Sequence, residues 1–170
     1  RMVFDNNKQF DKLIQAYSKS KLPSKNIKLL LLGNGPQRES LEQLALAKKQ
    51  QDNVVFLGFQ NNPFKYYKNA KFSVLTSKNE GLPNTITEAL ACGIPVISFD
   101  CKSGPSELIK NRKNGILVEN QNFDKLILAF NEMIENNELY DFCKSNAKES
   151  VNRFSVDKIG KQWLDYLNIN

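Results

Sequence analysis

Residues 77–105, SKNEGLPNTITEALACGIPVISFDCKSGP, decide how the rest of the chain is read. Pro83 suits a first helical position and Gly93 the residue just past a last turn, which predicts a helix from Pro83 to Cys92. Ile86, Ala89, Leu90 and Gly93 recur at three- and four-residue spacing and predict its inward stripe. Glu88 falls on a neighbouring stripe with Thr85 and Cys92, and no Lys or Arg stands three or four positions away to pair with it. Glu80 stands eight positions earlier, in the loop that feeds the helix. A helix N-terminus offers unpaired N–H groups and a positive dipole end to phosphate, and carboxylates accept hydrogen bonds from sugar or ribose hydroxyls. The combination suits an anionic, hydroxyl-rich ligand. The same spacing also fits a capping box made by Thr85 and Glu88 with Glu80 as a loop charge, and spacing by itself leaves both readings open.

Working outward, Pro95 to Phe99 reads as a strand, and Ser103-Gly104-Pro105 as the start of a short helix with Ser103 as its N-cap and Glu107 as a first-turn acid. Gly115 to Val118 reads as another strand, followed by helices over 122–136 and 138–149 and an amphipathic one over 155–167 carrying Ile159, Trp163 and Tyr166 on one side. A tryptophan in that setting reads as core or as a contact with a neighbouring domain. Upstream, Lys71 to Thr76 is a strand and Phe64 to Ala70 a short helix. Val54 to Leu57 is a strand running into Gly58-Phe59. Ile27 to Leu32 is a continuous apolar run of the kind buried on both faces, leading into Gly33-Asn34-Gly35-Pro36. The glycines allow a tight turn and close approach of a ligand, although Arg38 stands where a dinucleotide fingerprint would have its third glycine. The first helix carries Phe10, Leu13, Ile14 and Tyr17 on one side. Strands alternating with helices predict an α/β domain over residues 1–170 built on a doubly wound, parallel, Rossmann-like sheet.

Composition narrows the function classes. The apolar share of 41% and charged share of 25% are those of a globular protein. No apolar run reaches eighteen residues and no export signal is visible, which fits a cytoplasmic protein. Cys92, Cys101 and Cys143 lack metal-binding spacing and read as reduced thiols. The net charge of +6 comes from residues 1–50, with ten Lys/Arg against four Asp/Glu; the remaining residues hold fourteen of each. These lysines lie along helical faces without interleaved aromatics, which argues against nucleic acid and for solvated surfaces or peripheral approach to an anionic membrane.

The run SKNEGLPNTITEALACGIPVIS, with both glutamates, the Pro-Asn between them and the Ala-Cys-Gly-Ile-Pro exit, resembles the Glu-x7-Glu motif of retaining GT-B glycosyltransferases, specifically glycosyltransferase family 4. DCKSGPSELI and the Gly115 to Val118 strand resemble that family's continuation. The resemblance implies the C-terminal, donor-binding half of a GT-B enzyme, whose acceptor site belongs to a separate N-terminal half. It implies that Glu88 binds the ribose hydroxyls, that Glu80 contacts the transferred sugar, and that backbone around Asn84, Thr85 and Ile86 holds the diphosphate. Family donor domains open with a strand ending in Gly-Arg-Leu and a following Lys; Arg1 and Lys8 match, with Met2 at the Leu position, and would neutralise the leaving diphosphate. Gly33 and Gly35 would line the nucleotide-sugar and Phe59 would lie against the base, whereas burial statistics alone place Phe59 equally well in the core. No metal or other cofactor is implied, in keeping with the absence of histidine and of Asp-x-Asp. The DCKSGP segment is similar to that of transferases building bacterial surface glycans and lipid-linked oligosaccharides, so a UDP-linked hexose or N-acetylhexosamine donor and a glycan or lipid-linked acceptor are expected. A sugar-nucleotide epimerase on the same fold and a non-catalytic nucleotide-binding module remain as alternatives.

Overall fold

The computed structural model describes residues 7–168. Arg1, expected to meet a diphosphate, lies outside them. Strands and helices alternate as the sequence predicts: α1 (Phe10–Lys19), β1 (Leu29–Leu32), α2 (Arg38–Ala47), β2 (Val54–Gly58), α3 (Phe64–Tyr67), β3 (Ser73–Leu75), α4 (Asn84–Ala91), β4 (Val96–Asp100), α5 (Pro105–Leu108), β5 (Gly115–Glu119), α6 (Phe123–Glu135), α7 (Asn137–Ser150) and α8 (Val156–Leu167). Among the described residues, every pairing between these strands is parallel. Strands β1 and β2 pair with Leu29 opposite Val54, while β3, β4 and β5 form a second group in that order, with Ile97 between Val74 and Ile116.

Parallel strands need crossovers, and the crossover helices bury both faces of the sheet. Strand β4 shows this most clearly, because Val96, Ile97, Ser98 and Phe99 are all buried. Ile97 and Phe99 enter one core with Leu29, Leu31 and Val54 from the other strand pair, against Leu13, Ile14 and Tyr17 of α1 and Leu126, Phe130 and Met133 of α6. Val96 enters a second core with Ile86, Ala89 and Leu90 of α4 and Leu108, Ile109 and Ala147. The two strand groups therefore share one core although no ladder joins them among the described residues. Asn122 and Asn136 cap α6 and α7, their side chains accepting at 3.0 Å from the amides of Lys125 and Leu139.

Three expectations are corrected. Strand β1 begins at Leu29 rather than Ile27, and it is not buried on both faces: Leu29 and Leu31 face the first core while Leu30 is 39% exposed. Ser103 does not cap α5. Gly104 occupies the N-cap position, and the Ser103 hydroxyl donates instead to the carbonyls of Lys102 and Glu80. Trp163 is not core, since it is 59% exposed on α8, a helix with no buried residue, and meets Tyr166 edge to face at 6.1 Å.

Within each group the strands run parallel, so the loops after β1 and β2 leave one carboxyl edge together, and the loops after β3 and β4 leave the carboxyl edge of the second group, the kind of edge where ligands bind in open α/β folds. That edge depends on β4. Phe99, fully buried and 4.9 Å edge-to-face from Phe123, anchors the strand there. Phe99→Ala is expected to destabilise the fold by about 3–5 kcal/mol, read as a lower urea midpoint with an unchanged m value.

Candidate functional site

The loop after β3 carries Ser77 to Pro83 and ends at α4. Pro83 is the N-cap, with no side chain closing the helix end, so Thr85 and Glu88 form no capping box. The Ile86 amide already donates to the Pro83 carbonyl at 2.9 Å, which leaves the first-turn amides of Asn84 and Thr85 ahead of any helical acceptor. Gly81, Leu82, Asn84 and Thr85 are exposed around them. The start of α4 is thus an open set of donors with a positive dipole end.

A second segment meets this loop from far away in sequence. Residues 7–9 lie against 76–80 through a set of hydrogen bonds. The Asn7 carbonyl accepts from the Lys78 amide at 2.9 Å, and the Asn7 side chain exchanges bonds with the Asn79 backbone at 3.0 and 3.1 Å. Thr76 donates its hydroxyl to the Lys8 carbonyl, and Gln9 donates its side-chain amide to the Thr76 carbonyl, both at 2.7 Å. In that setting the Lys8 ammonium forms an ion pair with the Glu80 carboxylate. The two residues are in contact although 72 positions separate them in sequence.

The loop after β4 supports the same place from the other side. Asn79 bridges to Lys102 as a parallel pair, and the Ser103 hydroxyl holds the Glu80 carbonyl at 3.0 Å. Gly104 has φ +87°, and a Cβ there would stand 1.8 Å from the Gly81 carbonyl oxygen, so only glycine lets the two loops touch. Burial pushes the Cys101 thiol up, with the nearby Glu80 charge adding to it. It stays protonated, as a reduced buried thiol should.

Glu88 has a partner after all. Tyr67 of α3 lies close to the Glu88 carboxylate, and its phenol is pushed up to about 12, first by burial and then by that charge. The sequence offered no signal for this pairing because the two residues sit on different helices. At the other strand group, the Gly33 amide donates to the Gly58 carbonyl at 2.7 Å with Gly33 at φ +111°, and Asn34 caps the Gly35 amide at 2.9 Å. Arg38 lies over the end of β2, its guanidinium donating to the Phe56 carbonyl at 3.2 Å. Phe59 is 78% exposed, which rules out the core alternative. The residues missed by sequence reasoning are Asn7, Gln9, Thr76, Ser103 and Tyr67. Gln9 alone left a trace, as a polar residue immediately after Lys8 and ahead of an apolar helix face.

Two surface hollows lie elsewhere. One of about 460 Å³ is formed by residues 119–124 and one of about 300 Å³ lies between β5 and α6; neither includes Lys8, Glu80 or Glu88. Among the described residues, the start of α4 with its exposed Gly81, Leu82, Asn84 and Thr85 forms an open shelf. Among the described residues no group of three His, Cys, Asp or Glu could hold a metal ion, and no helix is long and apolar enough to cross a membrane.

A parallel α/β domain with glycine turns after its first strands and an open helix start beside paired Lys and Glu is the Rossmann-like type of the GT-B glycosyltransferases. The chain belongs to the Glycosyl transferases group 1 family, whose model matches residues 3–150. It is 34% identical over 163 residues to the Campylobacter jejuni N-acetylgalactosamine-N,N'-diacetylbacillosaminyl-diphospho-undecaprenol 4-alpha-N-acetylgalactosaminyltransferase, covering 96% of this chain and 44% of that protein. It is 29% identical over 162 residues to the poly(ribitol-phosphate) alpha-N-acetylglucosaminyltransferase of Staphylococcus aureus, covering 95% of this chain and 33% of that protein. Among solved structures, Anabaena HepE in complex with UDP matches with TM-score 0.85 and 25% identity, over 95% of this chain and 45% of that one. The chain thus spans less than half the length of these relatives.

Two outcomes test this geometry. Gly104→Ala is expected to cost about 2–4 kcal/mol, from left-handed strain and a backbone collision, measured by denaturant unfolding. For Tyr67, the raised folded value means its contribution to stability is complete below the ordinary tyrosine value near 10 and is lost as pH climbs through about 12. Tyr67→Phe should therefore remove ultraviolet phenolate amplitude near pH 12 and leave the titration near pH 10 intact.

Proposed function

We propose that residues 1–170 are the donor-binding, C-terminal half of a retaining GT-B glycosyltransferase of family 4, moving a hexose or N-acetylhexosamine from a UDP-linked donor to a glycan or lipid-linked acceptor. One observation carries the reading: Lys8 and Glu80 are held together beside the open start of α4. A cation, unpaired amides and a carboxylate within one shelf suit a diphosphate joined to a sugar. Family membership and relatives named as N-acetylhexosaminyltransferases support it. So does a UDP complex of a similar structure.

In this reading the amides of Asn84 and Thr85 receive the diphosphate, with the backbone of Ile86 completing that turn. Lys8 balances the charge that grows on the leaving phosphate, and Arg1 would join it. Glu80 orients hydroxyls of the transferred sugar, and Glu88, steadied by Tyr67, accepts from the ribose hydroxyls. Gly33 and Gly35 let the nucleotide approach the backbone, and exposed Phe59 offers its ring to the base. Substitution occurs on one face of the sugar, the donor's own phosphate taking the acceptor proton. No metal is needed, because Lys8 and the helix start supply the positive potential. The acceptor site belongs to a further domain, as does the exclusion of water. The protein works in the cytoplasm, in peripheral contact with a membrane when its acceptor is lipid-linked, as the name of the Campylobacter relative has it.

Calorimetry with UDP tests this. Binding should survive EDTA, and Glu88→Ala should weaken it about tenfold to a hundredfold through loss of charge-assisted hydrogen bonds. Absence of UDP binding, binding abolished by the chelator, or an unchanged affinity in a folded Glu88→Ala variant would each overturn the corresponding part of the proposal.

A further inference from the structure

Gln9 concentrates three local costs at one position. It is a non-glycine residue with φ 53° and ψ 43°, in the left-handed region that favours glycine. It is a polar side chain with no exposed surface. Its Oε1 is buried without a hydrogen-bond partner. A buried amide is retained at such cost only where it fixes something.

What it fixes is the residue before it. Gln9 is the N-cap of α1 but does not cap it with its side chain. The amide points away from the helix, and its Nε2 donates to the Thr76 carbonyl while the Thr76 hydroxyl donates to the Lys8 carbonyl. These two bonds close a ring from Lys8 through Gln9 to Thr76. The amide's orientation is unambiguous, since the Thr76 carbonyl can only accept. The left-handed turn at Gln9 opens α1, so that Lys8 ahead of it lies toward the β3 loop and Glu80. The neighbouring Ser77 is also buried, with an unpartnered hydroxyl, so the clasp packs at the end of β3 without relaxed polar pairing.

We infer that Gln9 is a positioning residue which, clasped to Thr76, aims the Lys8 ammonium at the diphosphate-binding end of α4. This rests on the proposed role of Lys8. Gln9 touches no ligand itself and acts through Lys8.

Calorimetry with two probes, UDP and uridine, separates this from a merely structural role. Gln9→Gly frees the left-handed turn of strain while deleting the clasp bond. It should weaken UDP about threefold to tenfold through a displaced Lys8 and leave uridine affinity unchanged. Thr76→Val, which deletes the other bond of the ring, should give the same split, and it serves if Gln9→Gly proves unstable in thermal unfolding. In a Lys8→Met background neither substitution should weaken UDP further, because the group they position is gone. Equal losses for UDP and uridine, or additive losses on top of Lys8→Met, would make Gln9 a structural residue and overturn the inference. If Lys8→Met weakens UDP while Gln9→Gly and Thr76→Val do not, the inference fails and the role of Lys8 stands. If Lys8→Met leaves UDP affinity untouched, the role of Lys8 fails and the inference with it.

Discussion

The geometry of the shelf depends on the hydrogen-bonded clasp between residues 7–9 and 76–79. Helix α1 packs in the core it shares with α6, whereas the loop after β3 leads to α4, which packs in the second core on the other side of β4. The clasp fastens together the starts of two helices from opposite faces at the carboxyl edge of the sheet. Without it, Lys8 would be a lysine at a helix end and Glu80 a loop glutamate. With it they are first neighbours, and the loop after β4 presses on the same point through Ser103 and Gly104.

The fastening is neutral and the charged pair is what it displays. The Lys8 and Glu80 side chains are 33% and 14% exposed, so the pair lies at the border between solvent and protein. Pairs open to solvent contribute about 0–1 kcal/mol, too little to hold two loops in register. The backbone and amide bonds do that. This division matters chemically, because Lys8 has three N–H donors and Glu80 engages one of them. The remaining two can turn to an arriving anion without loosening the loops.

The fold was legible because periodicity reports burial, and burial here is simple: apolar strands between helices of three- and four-residue spacing. The helix after Pro83 runs within one residue of its expected span, and Ile86, Ala89 and Leu90 face the core as their spacing predicts. Legibility failed where burial is decided by what lies opposite. Leu30 and Trp163 carry the side chains of core residues, yet each faces a side that no described element covers. The candidate site could be marked in sequence at its glutamates and glycines, which are bound to local turns and one helix. Its supports were not, because Tyr67 reaching Glu88, Ser103 reaching Glu80 and Gln9 reaching Thr76 are pairings between segments whose spacing carries no period. Ser103 shows how a local rule is overridden. It is a natural N-cap by type, but a carbonyl from the neighbouring loop takes its hydroxyl.

Of the basic residues of the first third, Lys8 stands on the shelf, while Lys19, Lys21 and Arg38 do not charge it. Helix α1 is ten residues long, so Lys19 at its far end is about 15 Å from Lys8. That exceeds the screening length of about 8 Å at physiological ionic strength. Lys21 is paired with Glu135 on α6, and Arg38 with Glu42. Their charges are absorbed where they stand. The charges that count at the strand ends are those within about one screening length of 8 Å: Lys8, the amides at the start of α4, and the nearby Lys78 and Lys102 against Glu80, with Asp11 and Lys12 in the first turn of α1. An anion arriving there responds to this local arrangement and not to the net charge.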